Sequence, residues 1–390
     1  MNVKLNKTRL SLVLLALIAG LSACNKSAET NTESTAEKKA DAVEAITSAP
    51  AGDAANKGVA YVTSQDAGVS VIDLATMKIL NQIDIKAVAP RGLGVTDDGK
   101  KLIVATRENE SISVVDTATG KVTQQIHVGK NPEFVRISGN FAYISSEPSA
   151  KGGPPPKPGE TKNENKGAEK EDDDDDALPA KIAVVDLVKG EKVREITGGP
   201  ETEGIEFSAD GSKLVITNEA DNTVTVHDIT SGKLLKTIKT HEYGDRPRGI
   251  KVSPDGNTYV ATLEYGNKFM VLDKDFNLLR TVPTGDTPYG ISYDADGKNI
   301  YVASNKSQLL EVFDAKSFVK LKEAPTAKRC WHFSFTPDNK QILLACGKSD
   351  AVLVYDAETL MQTGQVEVKG MPWGLVTYPK AMGSLDAAAK

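Results

Sequence analysis

Seven residues, one in each copy of a unit that recurs about every 42 residues, have the types and spacing to do chemistry: Arg91, Glu133, Glu203, Arg248, Tyr289, Trp331 and Trp373. Each opens a short apolar stretch. The residues that follow them read Gly92, Phe134, Gly204, Gly249, Gly290, His332 and Gly374. Taken in order, one arc of the first series is charged, Arg-Glu-Glu-Arg, and the other is aromatic, Tyr-Trp-Trp. Both tryptophans of the chain fall on it. Such a set suits binding, with guanidiniums holding an anionic edge and aromatic faces a flat or apolar body. A plainer reading has the arginines and glutamates neutralise each other while the rings fill space. With His332 these are the candidate ligand-binding residues. An enzyme would have to draw its acid, base or metal from Glu133, Glu203, Arg91, Arg248, His241 and His332, and no catalytic residue or metal ligand is assigned.

Other chemistry is sparse. Cys330 and Cys346 bracket two neighbouring strands, so antiparallel pairing sets them opposite one another. A disulfide is one reading and an unpaired thiol couple another. Soft metal ligation with His332 is a rival. His127, His227, His241 and His332 show no metal-ligand spacing, and no Cys-x-x-Cys-His haem motif, nucleophile elbow or phosphate-cradling loop occurs. The cofactor is left unassigned.

The elements that position the seven are legible in the unit from Pro90 to Lys130. Leu93 and Val95 alternate with small or polar neighbours, Asp97-Asp98-Gly99-Lys100 is a tight turn, and Leu102 to Ala105 is a second strand. Ile112 to Val115 makes a third, ending on Asp116. Thr117 to Lys121 turns again, and Val122 to Val128 is a fourth. Third strands end on Asp73, Asp116, Asp186, Asp228, Asp273, Asp314 and Asp356, aspartates suited to capping the next turn. Both series have seven members. A single sheet of this kind cannot bury both faces, but radial stacking can, and closure protects the edges. The expected fold is therefore all-β, a seven-bladed propeller. The first blade lacks its own first strand, and Met371 to Thr377 is a first strand with nothing after it, so the C-terminal strand should close the first blade.

These motifs resemble the YVTN-type β-propeller repeat family. Tyr61-Val62-Thr63-Ser64, Ile300-Tyr301-Val302-Ala303-Ser304-Asn305, Ser253-Pro254-Asp255-Gly256 and Val114 to Lys121 carry the resemblance, which spans residues 58–378. It implies the propeller fold. It implies less about activity, since seven-bladed lactonases and propellers that accompany quinone or haem systems share the architecture.

The N-terminus reads as an address. Lys4, Lys7 and Arg9 precede an apolar run, Leu10 to Leu21, and Leu21-Ser22-Ala23-Cys24 resembles a bacterial lipobox. Residues 1–23 are expected to be a lipoprotein signal peptide, with Cys24 lipidated. Residues 24–57, rich in Ser, Ala, Glu, Thr and Lys, are expected to be a disordered tether. Residues 58–379 form the propeller, interrupted at 147–180 by a disordered acidic insertion that includes Asp172 to Asp176. That run could hold a hard cation or a basic partner, or simply be solvated. Residues 380–390 are read as a C-terminal tail. A net charge of −6 leaves no electrostatic footprint for nucleic acid. The expectation is a lipid-anchored protein of the bacterial envelope, outer membrane facing the periplasm, touching the membrane only through its anchor. It would bind a small molecule or an envelope protein without catalysis; the alternative is a lactonase-like enzyme or an accessory of a quinone, haem or metal system.

Overall fold

The computed structural model describes residues 57–148 and 178–387. They form seven antiparallel sheets of four strands, blades 1 to 7 in chain order. In blades 2 to 7 the innermost strand comes first: Pro90–Val95, Pro132–Ser138, Thr202–Phe207, Pro247–Val252, Pro288–Tyr293 and Cys330–Phe335. Blade 1 takes its innermost strand, Pro372–Tyr378, from the far end of the chain, paired antiparallel with Val59–Ser64. That strand lies against both Cys330–Phe335 and Pro90–Val95, so the inner strands close a circle. The all-β seven-bladed propeller is thus the fold, and the terminal strand closes it.

Burial explains the strand order. Second and third strands such as Lys101–Thr106 and Ser111–Asp116 are covered on both faces and are nearly continuous Val, Ile, Leu and Ala. Outermost strands such as Lys121–His127 keep an exposed face and carry Lys, Thr and Gln. The seven aspartates ending the third strands cap the following turns through backbone N–H groups, for example Ala75 to Asp73 at 2.8 Å and Thr359 to Asp356 at 2.7 Å.

Each inner strand is entered in the same way. The residue before it takes a positive φ: Ala89, Asn131, Glu201, Arg246, Thr287, Arg329 and Met371, all between 46° and 64°. None is glycine, so each position carries strain that the surrounding sheet must hold. In five blades proline follows as the first strand residue, where its missing N–H costs no ladder bond.

The segment after the closing strand is not a loose tail. Residues 381–386 are buried, inside the ring. Ser384 N–H donates to Phe333 O at 2.9 Å, Phe335 N–H to Met382 O at 2.9 Å, and Arg136 Nη1 to Leu385 O at 2.8 Å. Lys251 Nζ donates to Asp386 O at 2.8 Å. The signal peptide, Cys24, nearly all of the tether and residues 149–177 of the acidic insertion lie outside the described residues. The two ends of that insertion are part of the blade: Glu147 N–H bonds Asn131 O at 3.0 Å, and Ala180 N–H bonds Gly199 O at 2.9 Å.

Candidate functional site

Arg91, Glu133, Glu203, Arg248, Tyr289, Trp331 and Trp373 occupy equivalent positions, second in their inner strands, at one end of the channel. They line a cavity of about 800 Å³. Glycine recurs at the next position because the neighbouring strand's carbonyl comes there. A Cβ on Gly92 would meet Glu133 O at 2.3 Å, one on Gly290 would meet Trp331 O at 2.4 Å, and one on Gly204 would meet Arg248 O at 2.5 Å. The two exceptions, Phe134 and His332, meet each other across the axis with ring centroids 5.4 Å apart, and both pack edge-on against Trp373.

A hydroxyl ties these strands together at four of the blade junctions. Thr217 Oγ1 accepts from Gly204 N–H at 2.7 Å and donates to Arg248 O at 2.6 Å. Thr63, Ser145 and Thr262 do the same in their blades. Thr63, within Tyr61-Val62-Thr63-Ser64, thereby gains a physical role, since its hydroxyl fixes the backbone of the mouth.

A second ring stands above the first, and reasoning from the sequence missed it. It is the residue just past each second strand: Gln65, Arg107, Glu147, Glu219, Glu264, Asn305 and Gly347. Each donates its N–H to the carbonyl of the positive-φ residue of its blade, at 2.8–3.1 Å, so the repeat places all seven alike. The signal was available, since charge at a position following a buried strand breaks the pattern just as the first ring does. Gly347 is the telling exception: Trp331 lies where its Cβ would be, 2.2 Å from a ring carbon.

The two rings interlock by charge. Arg248 pairs with Glu203 and Glu219 and donates from Nε to Glu264 at 2.8 Å. Arg246 pairs with Glu219, and its Nε lies 3.2 Å from Glu264. Arg107 reaches Glu147 at 3.3 Å and Glu133 at 3.6 Å, and Arg91 Nε lies 3.7 Å from Glu133. Burial works against the Arg248 charge, but Glu203 and Glu264 outweigh it and hold the guanidinium well above its usual range. Glu264 is partly buried, which would raise it, yet Arg248 and Arg246 keep it low. Glu147 goes the other way: burial, then Glu133 and Glu203, push its carboxyl well above the usual range. Burial also raises Glu133, against Arg91. The charged arc is therefore paired, but unevenly.

The aromatic arc differs from a set of open faces. Arg91 sits 5.5 Å from the Trp373 ring centroid, Arg248 4.9 Å from that of Tyr289, and Arg329 5.2 Å from that of Trp331. One face of each ring is thus taken by a guanidinium. His332 does not line the cavity. It is fully buried beneath it, its Nδ1 3.1 Å from Ser384 Oγ of the C-terminal segment. Burial and the charges of Arg248 and Arg91 lower its pKa to about 3, so the ring is neutral.

Below this floor the channel is filled. Arg136 and Lys251 flank Glu206 at 2.5 and 3.0 Å, all three buried, and Arg136 also holds Asp386 at 3.4 Å. Burial alone would raise Glu206, but Arg136 and Lys251 bring it to about 2. With residues 381–386 lodged here, the mouth is a blind cavity and not a through-channel. Cys330 and Cys346 are opposed in register and joined as a disulfide next to Trp331. Their sulfurs are used in that bond, which removes them as soft metal ligands beside His332. His241, in the loop leading to Arg246, bonds Asp245 at 2.6 Å and is exposed.

With this geometry in view, comparison with known proteins is informative about fold. The YNCE-like β-propeller family matches residues 17–140 and 176–369. Among solved structures, Kuenenia stuttgartiensis hydrazine synthase is 19% identical over 82% of this chain and 100% of that one, with a TM-score of 0.62. Pseudomonas aeruginosa periplasmic gluconolactonase is 17% identical over 82% and 98%, TM-score 0.63. Dihydro-heme d1 dehydrogenase is 16% identical over 85% and 77%, TM-score 0.60. At these identities the likeness is one of fold. No curated protein matches the sequence.

Proposed function

The chain belongs to the YNCE-like β-propeller family, and from that premise we propose that it is a binding protein whose ligand is a small polar molecule held at the channel mouth, without chemical change. Lactonases and enzyme components share its fold, so the reading rests on the site and not on kinship. The observation that carries it is the blind cavity: about 800 Å³, walled by two stacked rings of charged and aromatic side chains and floored by Trp373 over a sealed channel. That volume is in the range of small-molecule sites. The arginines are locked by carboxylates and ring faces, so a ligand meets preorganised donors and acceptors at little entropic cost.

The test is a ligand-observed saturation-transfer screen of polar small molecules. A binder seen with the wild type and lost with Trp331→Ala, in a protein that still melts cooperatively, supports the mouth. The proposal falls if no molecule binds, or if binding is untouched by that change.

A hydrolytic reading draws on one observation, the buried carboxyls of Glu133 and Glu147 set on either side of Arg107, 3.6 and 3.3 Å from it, with burial raising both. It predicts turnover of aliphatic lactones that Glu147→Gln abolishes; a wild type with no such turnover removes it. The lipobox supports a further proposal, that Cys24 carries a lipid anchor and the propeller faces the periplasm. Labelled palmitate should enter the wild type and not Cys24→Ala.

A further inference from the structure

The arginines of the mouth are not equally engaged. Arg248 donates to Glu203 and Glu264 and also pairs with Glu219. Arg246 pairs with Glu219 and donates to the Tyr265 hydroxyl at 3.1 Å. Arg107 donates one side-chain hydrogen bond, to Glu147 at 3.3 Å. The Arg91 guanidinium donates none to any described residue; its contacts are the Trp373 ring and Glu133. Glu133 lies between these last two, with Arg91 Nε 3.7 Å from one carboxylate oxygen and Arg107 Nη1 3.6 Å from the other. Both are charge pairs beyond hydrogen-bond length. Arg91 Nε and Glu133 Oε2 are accordingly buried with no hydrogen-bond partner. A guanidinium carries five N–H donors, so Arg91 and Arg107 converge on one place with most of their donors unused.

The surroundings keep those donors open. Arg91 and Arg107 line the mouth and also a second cavity, of about 1110 Å³, on the side of blades 1 and 2. Their side chains are 17% and 19% exposed, against 10% and 7% for Arg248 and Arg246. The nearest carboxyls, Glu133 and Glu147, are both raised by burial, which favours their neutral forms and weakens their hold on the pair. The second cavity carries the exposed acids Asp66, Asp84 and Glu108, whereas the remaining carboxylates of the mouth that ring Arg248 are held by it and by Arg246. An anion therefore meets the two guanidiniums from the mouth.

Deepening the binding reading proposed above, on which this rests, we infer that the ligand of the mouth is a small organic carboxylate, its carboxylate group seated on the guanidiniums of Arg91 and Arg107 and its body in the mouth toward Trp331 and Trp373. A guanidinium fork matches the two oxygens of a carboxylate, with charge-assisted N–H···O bonds of about 2.8 Å. The ligand supplies the hydrogen-bonded acceptor that Glu133, at 3.6 and 3.7 Å, does not. Both guanidiniums are fixed before it arrives, Arg91 over the Trp373 ring and Arg107 against Glu147, so little side-chain freedom is lost on binding.

The charged groups facing Glu133 and Glu147 are Arg91, Arg107, Arg248 and Glu203, with Glu219 beside Glu147 and with Tyr289, Arg246 and Glu264 around the same cavity. A further anion among them favours the protonated forms of both carboxyls. Carboxylate binding should therefore take up a proton and weaken as pH rises.

The experiment is isothermal titration of the whole chain with sodium butyrate, in mildly acidic and mildly alkaline buffers, with butyramide as the uncharged molecule of nearly the same shape. The inference expects saturable butyrate binding, tighter at the lower pH, and no butyramide binding. Arg107→Gln and Arg91→Lys, each checked for cooperative melting, should each weaken binding about tenfold. Glu133→Gln removes the counter-charge the two guanidiniums now share and should tighten binding about tenfold, a gain that a merely structural Glu133 would not give. The inference is overturned if butyrate does not bind, if butyramide binds equally, if affinity rises with pH, or if Glu133→Gln weakens binding. It is also overturned if Arg107→Gln binds as the wild type does, whether or not Arg329→Gln on the opposite wall of the mouth loses the ligand. Should butyrate fail while another molecule of the polar screen binds at the mouth, the carboxylate inference falls alone. Failure of every molecule would take the mouth reading with it.

Discussion

Glu147 is the residue on which the chemistry of the mouth turns, and its energetics can be tested without any ligand. Its carboxyl is raised in the folded chain, so the folded state holds a proton that the unfolded chain releases above its ordinary pKa of 4.5. Its contribution is therefore most favourable below that value and is lost as pH rises. Glu147→Gln should make the protein more stable at neutral pH and flatten this part of the pH profile; thermal melts across the pH range would show it. His332 has the opposite sign. Its folded pKa of about 3 lies below the ordinary 6.5, so its contribution is complete above 6.5 and shrinks as pH falls. The first ring was legible in the sequence because each member opens an apolar strand at a fixed spacing. Glu147, Glu219 and Arg107 were not read: the break in pattern after each buried strand was there, but that these positions point into the mouth depends on a backbone bond to a residue of left-handed conformation, which no residue type announces when glycine is absent.

At the scale of the strand, the mouth is built by close approach. Gly92 has no room for a methyl: backbone atoms of the next blade stand 2.3 and 2.7 Å from where it would be. Gly92→Ala should cost about 1–3 kcal/mol, measured by urea unfolding. Thr217→Val keeps the shape but removes the hydroxyl that serves Gly204 N–H and Arg248 O, both buried. It should cost about 1–3 kcal/mol and loosen the carbonyl backbone of Arg248. The disulfide closes a loop with a sequence separation of 16, and reducing it should cost about 3 kcal/mol in the chain-entropy picture. Strands and turns were readable from alternation and turn chemistry, and the facing of Cys330 and Cys346 followed from antiparallel pairing. What sequence could not give was the side of each aromatic ring taken by an arginine, since stacking depends on rotamers and not on spacing.

For the whole molecule, the circle and its closure by Pro372–Tyr378 followed from counting incomplete units at the two ends. The fate of residues 381–386 did not, because they carry no repeat pattern. The hint lay inside the ring, where Arg136, Glu206 and Lys251 occupy one inner-strand position in successive blades and need partners once buried. Those partners are each other and the C-terminal segment. Amide hydrogen exchange should find Ser384 as protected as the inner strands; exchange at the rate of an open chain would mean the channel is not sealed. Glu206→Gln leaves two buried cations short of a counter-charge and should cost about 3–5 kcal/mol. The most direct test of the account uses the fact that both tryptophans of the chain line the mouth, so the two indole N–H resonances report on that cavity alone. Titration of nitrogen-15-labelled protein with the binders found in the screen should shift both resonances saturably and together, and Glu203→Gln should diminish the shift. Indole resonances that stay in place while a ligand binds would contradict the account, because the ligand would then be somewhere other than the mouth.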